Sequence, residues 1–149
     1  MPPAARLTFT KDERLCGRAI LETVAKQGKA VNVPPFRLIG LPMVSLPTPI
    51  SRWPPDVLAR IAFAVPKRNL PHAVDRNTTK RRMREAYRLQ KPALMAHLQE
   101  RGLRCAWLLV YQGKAVPAWE PTERKITRCL QRWLQEHGEG NRRTAERRM

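Results

Sequence analysis

The chain is short of acid. Twelve Asp and Glu stand against 29 Lys and Arg in 149 residues, a formal charge of +17. A protein that holds catalytic Mg²⁺ needs converging carboxylates, and here they are scattered, with Asp75 and Glu85 set among arginines. His72, His97 and His137 have no evident nucleophile or base partner. No catalytic residue and no metal site is therefore expected in the chain itself. Cysteine is scarce too: Cys16, Cys105 and Cys129 are odd in number, widely spaced and without a C-x-x-C pair, which excludes a disulfide framework or a cysteine metal site. Each has apolar neighbours and reads as a reduced core thiol of a cytoplasmic protein. Long apolar runs are missing. "CAWLLVY" at 105–111 is far below the roughly 20 residues that cross a bilayer. The opening "MPPAARLTFTKDER" has no apolar stretch of a secretory signal, so no membrane partner is expected.

What is present suits a single domain. A chain of this length buries roughly 68–70% of its unfolded surface. Thr10 and Glu13 form a T-x-x-E capping box ahead of Leu15, Cys16, Ala19, Ile20 and Val24 at helical spacing, and Gly28 supplies a stop. A strand is expected to begin near Phe36. Five prolines between Pro42 and Pro55 exclude helix and central strand, so 42–58 reads as a proline-rich surface loop, with Trp53 covering a sheet edge. "ARIAFAV" at 59–65 alternates bulky and small residues as a strand does, and "RCAWLLVY" reads as a buried strand. A helix from about Ala73 to Leu89 continues or kinks at Pro92. In "EPTERKITRCLQRWLQEHG" the residues Ile126, Cys129, Leu130, Trp133 and Leu134 make one stripe, the clearest helix of the chain. The fold class is α+β, with helices covering an open sheet of three or four strands. The domain spans 7–137, and 138–149 reads as a disordered basic tail.

The positive excess implies a polyanion partner, and it is concentrated. From Pro66 to Lys91 there are nine basic residues and two acidic ones. At about 100° per residue Arg76, Lys80, Arg84 and Arg88 follow one another at i+4, and Asn77 and Arg81 lie beside them, a sector of about 140°. Ordinary surface helices interleave Glu with Lys or Arg. Like charges stacked at i,i+4 cost a few tenths of a kcal/mol per pair, a repulsion relieved by bound phosphate. Arginine suits bidentate phosphate contacts, and Asn77 offers donor and acceptor to a base edge or a 2′-hydroxyl. Lys67 and Arg68 extend the same end. Glu85 is expected to pair with Arg81 or Arg88. A DNA-binding regulator is disfavoured, because a strand ending at Pro66 stands where a positioning helix should. A ribosomal or other structural RNA-binding protein remains the alternative.

"AFAVPKR" followed by "AVDRNTTKRRMREAYR" resembles the signature of the bacterial ribonuclease P protein subunit. Arg76, Asn77, Lys80, Arg81, Arg84 and Glu85 match its R-N-x-x-K-R-x-x-R-E pattern, and "FTKDERL", "FRLIGLP", "CAWLLVY" and "TERKITRCLQRWL" fall where the family has counterparts. The resemblance implies a mixed sheet with a left-handed β-α-β crossover through the basic helix. It implies binding to a large catalytic RNA whose Mg²⁺ ions carry out removal of the 5′ leader from precursor tRNA. Lys67, Arg68, Arg76, Asn77, Lys80, Arg81, Arg84 and Arg88 would then contact RNA. A leader cleft would involve Arg14, Arg18, Leu21, Ala25 and Phe36, the last equally suited to the core, although the aromatics usual on the family's first helix are replaced here by Leu21 and Ala25.

Overall fold

Period-two alternation of large residues sets the sheet. In the structure, a computed structural model that describes residues 13–15, 18–42 and 57–137, four strands run β1 (Lys29–Val33), β2 (Phe36–Pro42), β3 (Ala59–Ala64) and β4 (Cys105–Tyr111). Their spatial order is β1-β2-β4-β3. β1 and β2 form an antiparallel hairpin around Pro34–Pro35, joined by a cis peptide. β2 pairs with β4 antiparallel, and β3 with β4 parallel. Three helices complete the domain: α1 (Arg18–Gln27), α2 (Ala73–Arg101) and α3 (Trp119–His137). α2 connects the parallel neighbours β3 and β4.

The registers separate two faces. Val31, Leu38, Leu109 and Phe63 form one row across the strands, beside a row of Gly40, Trp107 and Ile61. These lie under α2 and α3 in the main core. The alternate residues Ile39, Leu41 and Ala106 lie under α1, with Leu15 and Val24. Gly40 is required by close approach: a Cβ there would stand 2.3 Å from Trp107 Cδ1 and 2.7 Å from Trp133 Cε2. The two indoles meet edge to face at 5.6 Å in the room it leaves, and Trp133 Nε1 donates to Lys29 O at 2.9 Å.

The predicted stripe of α3 is buried throughout, and Cys105 and Cys129 are free, buried thiols. Two expectations are corrected, one strand is added, and at Pro92 continuation is chosen over a kink. The first helix begins at Arg18, not behind a Thr10–Glu13 cap: the amide of Leu15 donates to Ile61 O at 3.0 Å, and Arg14 bridges Ile61 in parallel. The chain at 13–15 thus lines the outer edge of β3, an edge that would otherwise present unpaired amides. Strand β1 was not anticipated, although Val31 and Val33 alternate with exposed Asn32. α2 runs unbroken through Pro92 for 29 residues, because packing against β3 and α3 outweighs the hydrogen bond that a proline removes. Of the expected loop, Pro42 ends β2 and Val57 is buried, its carbonyl accepting from Arg104 Nε and Nη2 at 3.2 and 3.0 Å. Thr10, Cys16, Trp53, the rest of the proline-rich segment and the tail at 138–149 lie outside the described residues.

Candidate nucleic-acid interface

α2 is anchored by Thr79, Met83, Ala86 and Tyr87, which are fully buried. The Tyr87 ring meets Phe63 edge-on at 6.1 Å. That anchoring orients the cationic sector outward. Lys67, Arg68, Asn77 and Arg81 are exposed, while Lys80 and Arg84 are half-buried. None of the five cations has an ion pair among the described residues. His72, the N-cap, has no side-chain capping bond, so the first-turn amides of α2 add their partial positive charge beside Lys67 and Arg68.

Three arginines of the same helix are committed internally. Arg76 Nη1 donates to Leu70 O at 2.9 Å and to Pro71 O at 2.7 Å, bracing the turn that carries Lys67 and Arg68. Arg82 Nη1 donates to Pro117 O, tying α2 to the segment ahead of α3. Of the two partners expected for Glu85, the structure selects Arg88, with Nε to Oε2 at 2.9 Å and Nη2 to Oε1 at 2.5 Å. That hydrogen bond holds the Glu85 carboxyl below the usual carboxylate range. The RNA set read from sequence therefore divides into an outward group and two residues, Arg76 and Arg88, that already have partners.

A second surface lies on the face under α1. The helix covers Leu41 and Ala106 but stops short of the row Asn32, Arg37, Val110 and Ala64. Asn32 and Arg37 are exposed there, and Val110 and Ala64 half-buried. Along the helix margin Arg18 is exposed and paired with Glu22 at 3.3 Å, Ala25 is exposed, and Leu21 packs partly into the core below. Arg14 is exposed on the segment along β3. Phe36 does not belong to this cleft. It is 1% exposed in the opposite core, its ring 5.3 Å from that of Tyr111, because alternation turns it to the other face from Arg37. Arg37, Asn32, Val110 and Ala64 were missed in the sequence; the alternation in "FRLIGLP" was the signal that could have found Arg37.

Among the described residues no three His, Cys, Asp or Glu side chains come together as metal ligands, so these residues offer Mg²⁺ no cage. Among the same residues no helix is long and apolar enough to cross a membrane. The ribonuclease P family profile matches residues 9–136. The chain belongs to the ribonuclease P protein family. The ribonuclease P protein component of Porphyromonas gingivalis is 30% identical over 130 residues, 87% of this chain and 89% of that protein. The component of Chlorobium phaeobacteroides is 38% identical over 78 residues, and that match spans 48% of this chain and 53% of the relative. The fold is that of the Staphylococcus aureus RNase P protein, with a TM-score of 0.60 at 18% identity over 80% of this chain and 93% of that one. A second Staphylococcus aureus RNase P protein structure gives 0.50 at 23% identity. The signature residues 76–85 sit on α2, which packs beside α3 on one face of the sheet.

Proposed function

We propose that this chain is the protein component of a ribonuclease P ribonucleoprotein, working in the cytoplasm on precursor tRNA. Lys67, Arg68, Lys80, Arg81 and Arg84 bind phosphates of a large catalytic RNA, and Asn77 reads a base edge or a 2′-hydroxyl. The single-stranded 5′ leader lies along the strip between α1 and the sheet, its phosphates on Arg37 and Arg18. Hydrolysis of the leader and the Mg²⁺ ions it needs belong to the RNA, and the protein supplies no catalytic group. Its contribution is to neutralise phosphates that would otherwise repel one another, so that RNA and substrate assemble with less Mg²⁺.

The observation that carries this reading is the row of cations on α2 that have no ion pair among the described residues, within a chain of the ribonuclease P family. A scaffold role on ribosomal RNA would use the same cations but would leave precursor tRNA cleavage unaffected. Reconstitution tests the choice. The protein is mixed with the catalytic RNA of its own source, and precursor tRNA cleavage is measured at low Mg²⁺. Wild type is expected to stimulate cleavage, and Asn77→Ala with Arg81→Ala to abolish the stimulation while circular dichroism stays unchanged. Stimulation by that double variant at the wild-type level would remove the assignment of α2.

A further inference from the structure

The helix layer carries a second row of cations. On α3, Arg124, Arg128 and Arg132 follow at i+4 and i+8 with Lys125 beside them, and Arg124 and Arg128 are exposed. At about 100° per residue they centre opposite the buried stripe of Ile126, Cys129, Leu130, Trp133 and Leu134. Arg132 is fixed at one end, donating to Asn32 O at 3.0 Å and lying 3.6 Å from Glu136. Among the described residues the side chains of Arg124, Lys125 and Arg128 have no ion pair or hydrogen bond. Glu120, a full turn before Arg124, does not pair with it. Stacking like charges at i,i+4 on an isolated helix is unfavourable, as on α2.

The two rows face different ways. α2 and α3 border a groove lined by Gln90, Ala93, His97 and Arg101 on one side and Thr127, Gln131 and Gln135 on the other; Arg101 Nη1 donates to Leu134 O at 3.4 Å, and Arg82 reaches Pro117 just ahead of α3. Its opposite side carries Lys91, paired with Glu13 on the chain that lines β3. Lys80, Arg81 and Arg84 lie on the Lys91 side by helical phase, so they point away from α3. The row on α3 instead borders β1, through Arg132 at Asn32. One RNA backbone lying along α2 therefore does not reach Arg124 and Arg128.

We propose that α3 and the adjoining β1 edge form a second phosphate-docking surface, occupied by the backbone of another helical segment of the catalytic RNA. The inference rests on the reading of the chain as a ribonuclease P component. Side chains four residues apart on a helix are about 6 Å apart along its axis, on the scale of successive phosphates, and arginine presents each a bidentate fork. No base is read, since the row holds no Asn and its glutamines Gln131 and Gln135 line the groove toward α2. The protein thus bridges two RNA segments rather than capping one.

The test compares full-length wild type, Arg124→Gln with Arg128→Gln, the same pair as Lys, and Lys80→Gln with Arg81→Gln. Each is bound to the catalytic RNA of its source across a salt series, with a non-cognate RNA duplex as reference and hydroxyl-radical footprinting of the backbone. Leaving two phosphates without their arginines should flatten the log–log salt slope by about 1.5, at roughly 0.7–0.9 per phosphate. The α3 glutamine pair is expected to show that flattening with an unchanged melting temperature, and the lysine pair to keep the slope. The backbone protections that disappear should differ from those that disappear on neutralising α2. A wild-type slope and footprint for the α3 glutamine pair, or disappearance of the same protections as in the α2 variant, overturns the inference and leaves the proposed function standing. Binding of the catalytic RNA by wild type no tighter than the non-cognate duplex overturns the proposed function, and this inference with it.

Discussion

Lys91 Nζ stands 2.5 Å from Glu13 Oε1 across 78 positions of sequence, and both side chains are about nine-tenths buried. The pair fastens the chain at 13–15, which lines β3 and leads to α1, onto the middle of α2. It therefore couples the helix that bounds the proposed leader strip to the helix proposed to hold RNA. The Glu13 charge adds to burial in raising the Tyr87 phenol well above its usual range, so the carboxylate acts inside the core.

Removing one partner leaves a buried charge uncompensated, which typically costs about 3–5 kcal/mol, whereas replacing both by apolar groups of similar volume is often neutral. Glu13→Gln and Lys91→Met are each expected to lower stability by about that amount in urea denaturation. Glu13→Leu combined with Lys91→Met should recover most of it. A single variant as stable as wild type would show that the pair is solvated rather than buried.

Arg76 and Arg81 belong to one sequence motif and have different duties. Arg81 is exposed, with no ion pair among the described residues, whereas Arg76 spends its Nη1 on two carbonyls of the preceding turn. Arg81→Ala should flatten the salt slope of RNA binding by about 0.8 with no change in melting temperature. Arg76→Ala should keep the slope closer to wild type, lower stability by about 1.5 kcal/mol through lost charge-assisted hydrogen bonds, and weaken RNA binding through the loosened turn. Equal slope changes for the two variants would place Arg76 on phosphate instead.

That contrast marks the limit of what the sequence makes legible. The strands at 59–64 and 105–111, the α3 stripe and the cationic sector of α2 are periodic patterns, and periodicity survives folding because it decides which side is buried. The Arg76 brace, the Glu13–Lys91 pair and the choice of Arg88 for Glu85 depend on where separate segments meet. Glu13 read as a cap because a cap and a buried ion pair use the same carboxylate. Phe36 read as a cleft residue because its neighbours were known only in order; the register against β4 puts Tyr111 directly opposite it and assigns its face. Strand β1 was hidden by its length of five residues and by the prolines that follow.

The buried thiols give a pH dependence with a definite sign. Burial pushes Cys105 up to about 12 and Cys129 up to about 11, while an unfolded thiol titrates near about 8.5. Below that value both states keep their protons and stability is unaffected. Above it the unfolded chain loses protons that the folded chain retains, so stability falls as pH rises from about pH 8.5, to about 11 for Cys129 and to about 12 for Cys105, by at most about 1.4 kcal/mol per pH unit for each thiol. Urea denaturation of wild type and Cys129→Ala between pH 7 and 10.5 is expected to show a shallower alkaline loss in the variant. Parallel curves would mean that Cys129 ionises equally in both states.

The leader strip offers a gain rather than a loss. Leu21 packs partly into the core under α1, so truncating it would mix stability with binding, but Ala25 is exposed on the same helix. An aromatic ring gives a base a face to stack on, worth about 1–3 kcal/mol per base. Ala25→Phe is therefore expected to tighten binding of precursor tRNA by the reconstituted enzyme by about fivefold or more, and to leave mature tRNA, which has no leader, bound as before. The comparison separates stacking from general stickiness, because both RNAs share the tRNA body and only one carries the leader proposed to extend along the row of Asn32, Arg37, Val110 and Ala64. Equal tightening for the two RNAs would take the leader off this face, and no change for either would place Ala25 outside its path.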